Sequence, residues 1–258
     1  MSPYVRRSGI QFDPLPEFRS SHFGIFLERV REEYPNTEDR APISEVRETD
    51  QDTAIRAQIG LLDMPPLRRV FFVDPTGNFL LQLQASRFHA NWRRQREEDQ
   101  YPRFSNTFHR FTLGWTLFHQ FADEANLGAL NTNQYELSYI NHIEEGDEAF
   151  PAGMEEFLPL FNWTSAQSGL FLPKPSSATM RLAFSLPEAK GRLHVSIAHG
   201  LLPRGGKQIL VMDLTARGPA KADWSDFKDW FSLAHEWIVR GFTDLTSNQA
   251  HDRWRRIK

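Results

Sequence analysis

Residues 87–93 read Arg-Phe-His-Ala-Asn-Trp-Arg, so Arg87, His89, Asn91 and Arg93 share one parity and Phe88, Ala90 and Trp92 the other. On an extended strand that alternation puts two guanidiniums, an imidazole and an amide on one face, with the apolar residues behind them. Such a row has the chemistry to hold phosphate through Arg87 and Arg93 and a base or ligand edge through His89 and Asn91. It is equally the pattern of a hydrogen-bonded polar row anchored by Trp92. The acids Glu97, Glu98 and Asp99 that follow are suited to pairing with Arg96 rather than to lining a phosphate groove.

A second constellation arises from register. If the segments holding Leu182–Leu186, Leu193–Ile197 and Leu210–Leu214 pair with Leu186 facing Leu193 and Leu193 facing Leu214, then Ser185, His194 and Asp213 form one lateral row. These are the residue types of a hydrolase triad. Ser185 nevertheless sits mid-strand, away from the sharp turn and oxyanion donors that a serine nucleophile needs, so the expected role is a cross-strand polar trio. Tyr101, Tyr139, Asn141 and His142 complete the candidate binding residues. Asn141 shares its parity with Tyr135, Leu137 and Tyr139, and an amide entering an apolar face must find a partner. The nine histidines show no His-Glu-x-x-His spacing and no phosphate-cradling glycine loop is present, so no metal and no cofactor is expected.

The elements that position these residues follow from periodicity. A strand over "SGIQFDPL" is followed by a helix from Ser20 or Ser21 with Phe23, Phe26, Leu27 and Val30 on one side, stopped at Tyr34-Pro35. "APISEVRE" reads as a strand. "LRRVFFVD" and "NFLLQLQ" flank Asp74-Pro75-Thr76-Gly77 and form a hairpin, and a bulge or turn near Ala85–Arg87 reconciles the change of phase. A long helix capped by Ser105 carries Phe108, Phe111, Trp115, Phe118 and Ala122. The remainder reads as a strand over "QYELSYINHI", a short helix at "GMEEFLPLF" and a loop. Three strands and a closing helix with Phe227, Phe231, Ala234, Ile238, Phe242 and Leu245 in one stripe complete it. The expectation is an α+β fold of two tandem β-α-β(3–4)-α halves, 1–130 and 131–258, packed as one unit. Each half has an antiparallel sheet under a long aromatic helix, similar to TATA-binding-protein-like or helix-grip architectures.

Composition sets the outer limits. The 258 residues include 21 phenylalanines and seven tryptophans, enough for a substantial core, while a net charge of −3 argues against a globally basic nucleic-acid binder. The absence of cysteine removes disulfides and thiolate chemistry. No stretch has membrane-span length, and a soluble cytoplasmic protein is expected.

The stretches "RFHANWRR…YPRF" and "YELSYINHI", together with the closing aromatic helix, resemble a sporadically distributed bacterial family of uncharacterised proteins of about this length. That resemblance brings no catalytic residues with it, and patchy occurrence suits a toxin–antitoxin or phage-defence setting. The expected function is a non-enzymatic binding or regulatory protein holding a protein partner or forming a homo-oligomer, without a membrane. The alternative is nucleic-acid binding or RNA processing on the Arg87–Arg93 face.

Overall fold

A computed structural model describes residues 4–43, 48, 67–144, 158–160, 171, 178–201, 208–220 and 224–253. Nine strands form one antiparallel sheet in the order β2-β3-β4-β5-β1-β6-β9-β8-β7. They are β1 (Val5–Phe12), β2 (Asn36–Arg40), β3 (Arg69–Val73), β4 (Phe79–Gln84), β5 (Arg87–Arg93), β6 (Thr132–Glu144), β7 (Thr179–Ser185), β8 (Arg192–Leu201) and β9 (Gln208–Pro219). The helices are α1 (Ser20–Val30), α2 (Phe104–Glu124), α3 (Trp224–Leu245) and the short α4 (Asn248–Arg253). The fold is α+β.

One face of the sheet carries the core. Ile10, Phe88 and Tyr135 are cross-strand neighbours on it, as are Leu137 with Ala216 and Val195 with Leu214. The helices cover this face because each has a wide apolar stripe. Phe111, Trp115, Phe118 and Phe121 of α2 and Phe227, Trp230, Phe231 and Ile238 of α3 are all buried. Phe108 and Phe111 of α2 meet Phe227 and Phe231 of α3 at centroid distances of 5.1–5.8 Å, a range that favours offset and tilted ring pairs.

The hairpin β3–β4 turns at Asp74–Gly77, where Gly77 takes φ +77° and Asp74 accepts from the Phe79 amide at 3.0 Å. A two-residue turn at Ala85-Ser86 separates β4 from β5, which accounts for the change of phase. Two details differ from expectation. The N-cap of α2 is Arg103 and not Ser105, and its side chain makes no cap hydrogen bond. Ala41, Pro42 and Ile43 of "APISEVRE" are not in a strand, while the wholly polar Asn36–Arg40 forms β2. Most of "GMEEFLPLF" and the loop after it lie outside the described residues, as does the basic tail beyond Arg253.

No helix among the described residues is long and apolar enough to cross a membrane.

Candidate functional site: the polar face of the sheet

Strand alternation leaves the face opposite the helices to the other parity, and there most residues are polar or charged. One lateral row runs Glu38, Phe71, Gln82, His89, Gly9, Glu136, Arg217, Arg192. The next runs Leu80, Asn91, Arg7, Ser138, Thr215, His194. Every strand except β4 and β6 contributes at least one arginine to this face.

The centre of the face is buried. His89 has 2% exposure and lies across Gly9, where an added Cβ would sit 1.7 Å from the imidazole Cδ2. Gly9 is therefore required by a close approach rather than by its backbone angles. The Gln82 amide donates to His89 Nδ1 at 2.9 Å, which leaves the proton of the neutral ring on Nε2, 3.8 Å from Glu136 Oε1. Burial pushes His89 down to about 3, against the pull of Glu136, and Arg7, Arg87 and Arg69 act in the same direction as burial. The imidazole is thus uncharged at neutral pH, and its contact with Glu136 is not an ion pair.

Glu136 accepts from Arg217 at 2.7 Å and lies 3.9 Å from Arg7. Burial raises its carboxyl, but the neighbouring cations outweigh burial and hold it well below the usual range. Beside it the Ser138 and Thr215 hydroxyls are 2.8 Å apart, and Thr215 donates to Asp213 at 2.7 Å. Burial pushes the Asp213 carboxyl up. At the β8 side Glu48 bridges Arg192 and His194, the latter at 2.6 Å, and donates its own amide to Gln134 Oε1 at 2.6 Å. Gln84 likewise receives the Ile43 amide and donates to the Ile43 carbonyl, both at 2.9 Å.

The residues singled out by sequence fall into three groups. Arg87, His89, Asn91 and Arg93 do share this face. Arg87 is buried and donates to Gln11 at 2.7 Å, and Asn91 donates to Gln82 at 3.3 Å. Arg93 is tied to the Gly77 carbonyl at 2.9 Å and to Glu38 at 2.8 Å. Trp92, Tyr101 and Tyr139 belong to the helix side. There Trp92 meets Tyr101 edge-on at 5.3 Å, and the Tyr139 hydroxyl pairs with His235 Nδ1 at 2.7 Å. Asn141 lies buried and donates to the carbonyl of Met212, its cross-strand partner, at 3.4 Å, while His142 stacks on Tyr4 at 4.0 Å.

The row Ser185–His194–Asp213 is not formed. His194 stands opposite Ala183 and Thr215, Ser185 opposite Arg192, and Asp213 opposite Ser196. Each pairing is displaced by two residues. A shift of two leaves every side chain on its own face, so alternation alone does not resolve it. Between β7 and β8 the register follows the connection at Pro187–Gly191, where Leu186 donates to the Gly191 carbonyl at 2.8 Å. What His194 holds instead is Glu48, a partner no strand pattern reveals.

Sequence reasoning also missed Arg6. Its 1% exposure places it on the core side, over Phe104 at 4.3 Å and Tyr139 at 5.2 Å. It donates to the Phe104 carbonyl at 3.3 Å and, among the described residues, pairs with no carboxylate. The only signal in the sequence is its parity with Ser8 and Ile10.

Gly9→Ala is expected to lower stability by about 2–3 kcal/mol, since the new methyl overlaps a buried ring. In a His89→Ala background most of that cost is expected to vanish. A double-mutant cycle by urea denaturation checks it, and additive costs would refute the close approach.

Fold and site together define an α+β protein with one continuous antiparallel sheet, helices on one side and a part-buried, arginine-rich polar face on the other. Comparison with protein-family models, with curated proteins and with solved structures finds no match.

Proposed function

We propose that the protein is a non-enzymatic binding module that holds an extended segment of a partner protein along β7. The observation that carries this reading is the asymmetry of the two sheet edges. At one end β2, Asn-Thr-Glu-Asp-Arg, is short and charged, with Arg40 paired to Glu38 and Asp39 to Arg68. Such edges are guarded against pairing. At the other end β7 is exposed along its length, and Arg181 is its one charge. Its helix-side residues are Met180, Leu182 and Phe184, and Phe184 is 40% exposed. Beside it a groove of about 350 Å³ opens between Phe184, Leu193, Trp237, Gly241 and Leu245. Among the described residues no strand pairs with the outer side of β7; such an edge offers main-chain donors and acceptors that only another peptide backbone matches in register, and the groove can take alternate side chains.

The test is co-purification with the products of neighbouring genes, comparing the wild type with Phe184→Lys. The variant is expected to lose at least tenfold of the recovered partner while its melting temperature changes little, because Phe184 is on the surface. Equal recovery from both proteins would remove this reading. Recovery of a second copy of the chain would reassign the edge to self-association.

Nucleic-acid binding is the second reading, favoured by the density of arginine on the polar face. Arg87 and Arg93 are engaged within the protein, so this reading must draw on other arginines. An elevated absorbance ratio at 260 and 280 nm that falls on nuclease treatment would support it.

A further inference from the structure

Arg40 and Arg69 are direct cross-strand partners on the polar face of β2 and β3. Like charges placed opposite one another destabilise a sheet unless a counter-charge intervenes. Both guanidiniums lie over the same ring, Phe71, at 5.6 and 5.0 Å from its centroid. Arg40 has Glu38, but Glu38 is shared with Arg93. Arg69 has no acidic partner among the described residues, and its Nε is buried without a hydrogen bond. From β1, Arg7 faces the same side of the sheet, its Nε equally unpartnered, with Glu136 3.9 Å away and engaged by Arg217. Between them lie the neutral side chains of Gln82 and His89, the strand neighbours on β4 and β5. Burial and the positive fields of Arg7 and Arg40 all hold the Arg69 guanidinium below its ordinary proton affinity.

Among the described residues these three cations thus have only two carboxylates at hand, Glu38 and Glu136, each shared with a further arginine, in a protein whose net charge is −3. The site is reachable from solvent, since the side chains of Arg7 and Arg40 are 27% and 48% exposed. Planar guanidinium forks suit the oxygens of a multiply charged oxyanion, and such an anion would cancel the mutual repulsion. We propose that Arg7, Arg40 and Arg69 form a binding site for a small phosphate-bearing anion on the polar face, independent of the β7 edge. Arg87 and Arg93, engaged by Gln11 and by Gly77 and Glu38, lie outside this set.

Inorganic phosphate and pyrophosphate are the probes, followed by calorimetry and by thermal melting against sodium chloride of matched ionic strength, which removes general screening. Pyrophosphate is expected to bind at one site per chain and to raise the melting temperature. Arg69→Gln is expected to weaken that binding at least tenfold while leaving the unliganded protein as stable as the wild type or more so, because a repulsion is removed. An arginine with a purely structural role would give the opposite stability result. The proposal is overturned if phosphates do no more than chloride or if Arg69→Gln binds as well as the wild type. It is also overturned if only an RNA oligonucleotide binds and pyrophosphate does not, since the site would then require a polymer.

Discussion

Replacing Glu136 by glutamine is expected to destabilise the protein by about 3–5 kcal/mol, the loss typical of a buried ion pair deprived of one member. The side chain is nearly isosteric, so the cost arises from charge and not from volume. Arg217, 2.7 Å away, and Arg7 would lose their shared acid beneath a largely buried face. Denaturant unfolding of Glu136→Gln beside the wild type measures this. The double variant Glu136→Gln/Arg217→Met should recover most of the loss, because it removes the stranded cation as well. A loss under about 1 kcal/mol would mean that solvent screens the pair as it does at a surface.

Acid lability is the second large effect. His89 takes up a proton in the unfolded chain near its ordinary value of about 6.5, but in the folded protein only near about 3. Between those values the unfolded state binds more protons, so stability falls as pH falls through this window. At about 1.36 kcal/mol for each unit of pH below the unfolded value, His89 alone removes roughly 3 kcal/mol by pH 4. His235, pushed down to about 4 by burial and then by Arg6, acts with the same sign. Glu136 is depressed as a carboxylate, so its contribution is full above the ordinary carboxylate range and is lost below it. Melting temperatures from pH 7.5 to 4 should therefore decline in the wild type and decline less steeply in His89→Gln. Parallel curves for the two proteins would show that the imidazole is not the titrating group.

These effects depend on positions that the sequence discloses only in part. Aromatic periodicity locates α2 and α3, and Asp74–Gly77 locates the β3–β4 hairpin, because both signals are local. The alternation of residues 87–93 also places Arg87, His89, Asn91 and Arg93 together correctly. It does not tell whether that row faces solvent, since burial depends on what else reaches the face, and His89 is enclosed through Gly9, Gln82 and Glu136 from three other strands. The displaced triad shows a related limit. Parity fixes the side of a strand but leaves steps of two undetermined, and between β7 and β8 the turn at Pro187–Gly191 makes that choice. The Arg40–Arg69 pair was out of reach for another reason, because β2 has no apolar residue to announce a strand.

The unlike ends of the sheet have a further consequence for assembly size. A sheet open at both ends can extend indefinitely, each added molecule presenting a fresh end to the next. Here β2 terminates growth, with its charges committed to Arg40–Glu38 and Arg68–Asp39. Once β7 has been covered, by a partner segment or by the β7 of another copy, the outward ends of a self-paired complex would both be β2. Such a pair would be a closed end product, and the same strand that invites one association would leave no route to a fibre.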